Sequence, residues 1–230
     1  MTQDQLIANY PRLYHMAHRG GWPSIRDQGL MSASALLDTY QVSGKARRAL
    51  EVERRPELTT LRRDGLPDAV LRDQKPMNDA ALERCLTDGL TPAQWYKVLN
   101  SKSFFWLSSG RIWRLLGARA YRDQVQTVLT VDTESIVKKY APGIRLSPIN
   151  SGSTLFNPQP RGLGTFMRVG EFPFALRAKT RSLENNVVEL VIDHSVPDIA
   201  QHVLAVHEVQ EDKILKELWR AKRATEHDRP

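Results

Sequence analysis

The run Val187-Val188-Glu189-Leu190-Val191-Ile192 constrains the fold more than any other stretch of this chain. Its β-branched, apolar residues carry no turn former, so it reads as a strand that is apolar on both faces. A carboxylate at its centre has two readings. Glu189 lies on the wet face of an edge strand, or it is buried and needs a partner, a raised pKa or a water-filled cleft. Perturbed carboxylates of the second kind concentrate in active sites.

Around this strand, two blocks at 10–40 and 102–210 mix short β-type runs with helices. Leu13-Tyr14-His15-Met16-Ala17 reads as a strand that Gly20-Gly21-Trp22-Pro23 breaks. Pro23 suits the first turn of a helix over 22–28, with Gly29 as its stop. A second helical stretch runs over 35–40. Phe104-Phe105-Trp106-Leu107 reads as a strand stopped by Ser108-Ser109-Gly110, with a helix over 111–121. Val125-Gln126-Thr127-Val128-Leu129-Thr130-Val131 alternates as a half-buried strand does, and 202–209 reads as another. The block at 41–100 reads as a charged helical insertion, with a solvated face as its plain explanation. Ile214, Leu215, Leu218 and Trp219 suggest an amphipathic C-terminal helix, followed by a polar tail to residue 230. The class expected is α+β, in one domain of 230 residues.

Charge narrows the partners. The chain has 33 Lys and Arg against 26 Asp and Glu, a formal +7, which favours a polyanionic partner. The excess is local. Between 138 and 182, eight basic residues including Arg145, Arg161, Arg168 and Arg177 face Glu171 alone, within a stretch that holds a long Gly/Pro-rich loop. Such a segment attracts phosphates; its alternative is a generic basic surface. The single cysteine, Cys85, excludes a disulfide framework and a thiolate cluster from this chain alone. His15, His18 and His194 match no ligand spacing, so no metal is expected. No apolar run approaches the length of a membrane span. The first residues carry neither a basic n-region nor an apolar h-region, so a cytoplasmic protein is expected.

Other residues have a chemical and a plain reading. His15 inside the first strand is either a satisfied core histidine or a ligand contact. Arg111, at the first turn of a helix, suits a phosphate clamp or is a surface arginine. Phe105 and Trp106 serve as core or as a platform for an aromatic ring. Nucleotide loops of the G-x-x-x-x-G-K-[ST] and G-x-G-x-x-G kinds are absent, as are nucleophile elbows and HExxH.

Taken in order, these pieces resemble an ADP-ribosyltransferase fold. The opening strand with His15, followed by Trp22-Pro23-Ser24-Ile25-Arg26-Asp27-Gln28-Gly29-Leu30, resembles the start of DarT-type DNA ADP-ribosyltransferases and of RNA 2′-phosphotransferases. Phe104-Phe105-Trp106-Leu107-Ser108 resembles the second core strand, and Val187-Val188-Glu189-Leu190-Val191 the late strand that supplies the catalytic glutamate. The resemblance implies a split β-sheet core and NAD as a substrate. It implies Glu189 and Arg111 as catalytic residues, and His15, Met16, Ser32, Phe105, Trp106 and Ser108 around the dinucleotide. Arg145, Arg161, Arg168 and Arg177 would face a nucleic-acid acceptor, single-stranded DNA or RNA with DNA favoured. A toxin or phage-defence role with an antitoxin partner belongs to the same expectation. The alternatives are a protein acceptor, removal of an RNA 2′-phosphate, and a non-catalytic nucleic-acid-binding module of the same fold.

Overall fold

The computed structural model describes residues 1–230. Its centre is an eight-stranded sheet, antiparallel throughout, whose strands are numbered here in chain order: β1 (Arg12–His18), β2 (Lys102–Trp106), β3 (Gln126–Asp132), β4 (Ile144–Ser147), β5 (Met167–Arg168), β6 (Glu189–Asp193), β7 (Val203–Gln210) and β8 (Lys213–Arg220). The order across the sheet is β8-β7-β3-β1-β2-β6-β4-β5. The class is α+β.

The sheet is two four-stranded halves with a narrow joint. β1 pairs with β3 from Arg12–Asp132 to His18–Gln126, and β2 pairs with β6 from Lys102–Asp193 to Trp106–Glu189. Between the halves, the strand pairing of β1 with β2 is a single pair, Tyr14 opposite Trp106. The strand interior explains the layering. Leu13 and Ala17 of β1 join Leu129, Val131, Leu190 and Ile192 in the main core, under the helix Thr133–Tyr140 with its Ile136 and Val137. Tyr14 and Met16 point the other way, into a smaller core with Ile112 and Leu116 of the helix Ser109–Leu116.

One glycine is required by space as well as by conformation. Gly29 ends the helix Trp22–Gln28 at φ 90°, and a Cβ there would lie 2.6 Å from Pro197 Cα. Its neighbours Leu30–Met31 pair with Ser195–Val196 beside the joint. Gly29→Ala is therefore expected to destabilise the protein by roughly 2–5 kcal/mol, from positive-φ strain plus overpacking. Denaturant titration checks this.

Two expectations need correction. The C-terminal helix is a strand: β8 forms a hairpin with β7 across a turn where Glu211 has φ 52°. Trp219 packs on Trp22 with ring centroids 5.4 Å apart. The tail beyond it folds back, with Asp228 2% exposed and paired with Arg12. The 41–100 block is not wholly helical and not merely a solvated face. It holds the helices Gly44–Glu51, Asp79–Cys85 and Pro92–Asn100 and also a β-ribbon, Thr59–Leu61 with Ala69–Leu71. A small core around Trp95 and Tyr96 packs it against Phe104 of β2, and another around Leu61 and Leu71 packs it against Leu37 and Tyr40 of the preceding helical segment.

Candidate active site

Where the half-sheets part, a cavity of about 630 Å³ opens. That is a usual size for a small-molecule or cofactor site. His15, Met16, Ser32, Phe105, Trp106 and Glu189 all line it.

Glu189 is the first residue of β6, flanked across the sheet by Trp106 and Ser147. It is 4% exposed, which excludes the wet edge-strand reading. Both carboxylate oxygens accept from the Ser151 backbone N–H, at 3.2 Å each. Burial pushes its pKa up to about 7; the Ser151 hydrogen bonds, and then Arg111 and Arg161, pull the other way. A group held there can accept and return a proton at neutral pH.

His15 is fixed by the joint itself. Its Nδ1 lies 2.8 Å from the Phe104 carbonyl; a carbonyl can only accept, so Nδ1 carries the proton. Burial first, with the charge of Arg72, lowers its pKa to about 4 against the upward pull of the Phe104 bond. At neutral pH the ring is uncharged and Nε2 keeps a lone pair, suited to accept from a hydroxyl. Ser32 is buried and caps the helix Ala33–Thr39, accepting from the Ala35 N–H at 3.1 Å.

Other expected site residues lie elsewhere. Ser108 caps the helix Ser109–Leu116 by accepting from the Arg111 N–H, and does not line the cavity. Arg111 faces away from it as well: its Nε donates to the Glu184 carbonyl at 2.8 Å and its Nη2 to Asn185 Oδ1 at 2.6 Å. It lines a second pocket of about 420 Å³, together with Arg161 and Arg177. The basic segment divides. Arg145 and Arg168 oppose each other across β4 and β5, and neither lines either cavity. The strand order places them on the outermost strand pair of the sheet, which a count of charges along the chain does not register.

Sequence reasoning assigned no role to the residues that the 41–100 block brings to the main cavity. Arg72 and Arg55 both line it. Arg72 donates from Nη1 to Gln126 Oε1 at 2.7 Å, and its guanidinium lies 5.2 Å from the centre of the Tyr121 ring. Its Nη2 is buried with no protein partner. An arginine in a cavity wall with one guanidinium nitrogen unpaired suits a phosphate-bearing occupant.

No group of three His, Cys, Asp or Glu side chains comes together as a metal site. No helix is long and apolar enough to cross a membrane.

The match to known families covers residues 11–203, from the start of β1 to the first residue of β7, and so takes in β1 to β6 and the residues that line the cavity. The chain belongs to the DUF7002 family, a family of unknown function. No curated protein matches it. The part of the chain shared with DUF7002 thus contains His15, Arg72 and Glu189, and excludes β8 and the tail.

Proposed function

We propose that this member of DUF7002 is an NAD-dependent mono-ADP-ribosyltransferase that modifies nucleic acid, DNA before RNA. The observation that carries the reading is Glu189: a buried carboxylate, titrating near 7, at the wall of a cavity opened by the parting of two half-sheets. The parted sheet also supports an ADP-ribosyltransferase-like core.

The residues around the cavity fit a dinucleotide. Arg72 supplies a cationic wall for a diphosphate, and His15 Nε2 an acceptor for a ribose hydroxyl. Phe105 and Trp106 line the same cavity with aromatic surface for nicotinamide. Bound NAD would supply the ADP-ribosyl group, with nicotinamide as the leaving group.

Glu189 then has two tasks. Departure of nicotinamide leaves positive charge on the ribose, as in glycoside hydrolysis, and a fixed carboxylate beside that sugar stabilises it. As the acceptor atom bonds to the ribose carbon, Glu189 takes the proton that this atom loses. The Ser151 N–H holds both oxygens in place for this. The chain's basic excess favours an acceptor rich in phosphate.

NAD is expected to raise the melting temperature, and labelled NAD to pass its label to single-stranded DNA or RNA. No shift with NAD would end the enzymatic reading in favour of a binding module. Label released by protease rather than nuclease would move the acceptor to protein.

A further inference from the structure

The second pocket lies on the far side of the Asn150–Ser153 segment from the main cavity, and Asn150 lines both. Its wall carries Arg111, Arg161, Arg177 and Arg181, and no acidic residue. Three of these guanidinium groups are fixed by the backbone. Arg111 donates to the Glu184 carbonyl, Arg161 to the carbonyls of Ser151 and Ser153 at 2.9 and 2.8 Å, and Arg177 to the Asn186 carbonyl at 2.9 Å. Carbonyls orient these groups without cancelling their charge. The nearby Glu184 forms its ion pair with Arg114, outside the pocket. Arg161 is 2% exposed and forms no ion pair; Glu189, on the main-cavity side, is the carboxylate whose charge reaches it. Burial is also the main cause that lowers the pKa of Arg111, Arg161 and Arg177 alike. The pocket is thus a preorganised receptor for an anion.

At its rim stands Phe156, 97% exposed and held at φ 52°, beside Leu155 at 50%. A bulky residue with positive φ is strained, and here the strain holds an aromatic ring in water.

We propose that this pocket binds a backbone phosphate of an unpaired nucleic-acid strand, with Phe156 stacking on an adjacent base. A phosphate meets guanidinium donors in fixed positions, and a base face gives the ring the apolar cover that it lacks. The strand must be unpaired, because in a duplex both faces of a base are already stacked. The pocket's role as the acceptor side of Glu189 rests on the transferase reading; the binding itself does not.

The test is fluorescence anisotropy with the full chain and a labelled mixed-sequence oligodeoxynucleotide, single-stranded or duplex, without NAD. Phe156 and Arg181 are exposed, so their replacement leaves the core intact. Phe156→Ala is expected to weaken single-strand binding roughly five- to 150-fold, and Phe156→Trp to keep it. Arg181→Ala should lower the salt slope by about one. Equal affinity for duplex and single strand, or unchanged binding by Phe156→Ala, overturns the proposal. Binding by the wild type that depends on Phe156, in a protein that shows no thermal shift with NAD, would leave this site standing while the transferase reading falls.

Discussion

On the proposed transferase activity, Glu189→Gln is expected to reduce ADP-ribosyl transfer by roughly 10²–10⁴-fold while the protein stays folded, the usual span for loss of a proton-transferring group. Glutamine keeps the shape and the acceptor oxygen for the Ser151 N–H, but can neither balance the charge on the ribose nor take a proton. The same substitution has a second signature in stability. The gap between the ordinary glutamate value of 4.5 and about 7 in the fold corresponds to roughly 3 kcal/mol. Because the pKa is raised, that contribution is full below about pH 4.5 and lost as pH rises through 7. The glutamine variant never ionises. It is expected to melt roughly 5–10 °C above the wild type at pH 8 and beside it at pH 5. The same difference at both values would refute the burial of the charge, and full transfer activity would refute the catalytic role.

His15→Ala is the other large effect. The imidazole donates to the Phe104 carbonyl at the joint and lines the cavity, so one substitution removes a structural hydrogen bond and the contact proposed for NAD. Stability should fall by roughly 2–4 kcal/mol from the unmade bond and the space left behind, and NAD affinity by roughly tenfold or more. The pH dependence runs opposite to that of Glu189. The pKa of His15 is lowered from 6.5 to about 4, so its contribution is present above pH 6.5 and lost as pH falls through 4. Acid unfolding of His15→Ala should begin at lower pH relative to its own plateau than that of the wild type. Urea melts at pH 4.5 and 7.5, with calorimetric titration of NAD, read these effects separately. Undiminished NAD binding would remove His15 from the ligand site.

The sequence showed Glu189 because an acid inside an apolar run is a local anomaly, and the anomaly persists in three dimensions. It showed most strands of the sheet for the same reason: β3 and β6 carry their pattern within themselves. It misled where the deciding contact is remote. Ile214, Leu215, Leu218 and Trp219 satisfy helical spacing, yet Lys213–Arg220 is a strand because β7 offers it an edge and Trp22 receives Trp219. The ribbon at Thr59–Leu61 and Ala69–Leu71 is too short for periodicity to register. Charge counting found the basic segment but not its sides: Arg161 turns inward onto Ser151 and Ser153, and Arg145 and Arg168 go to a sheet edge. Arg72 gave no signal, since its meaning comes from Tyr121 and Gln126, about fifty residues downstream.

A sheet whose two halves share one ladder pair, Tyr14 with Trp106, and the side-chain bond from His15 to the Phe104 carbonyl has a seam down its middle. Any occupant that touches His15 on one flank and Glu189 on the other becomes a clasp across that seam. Its binding energy then appears as mechanical coupling of the two flanks, and amide exchange along β1 and β2 should slow together when it binds.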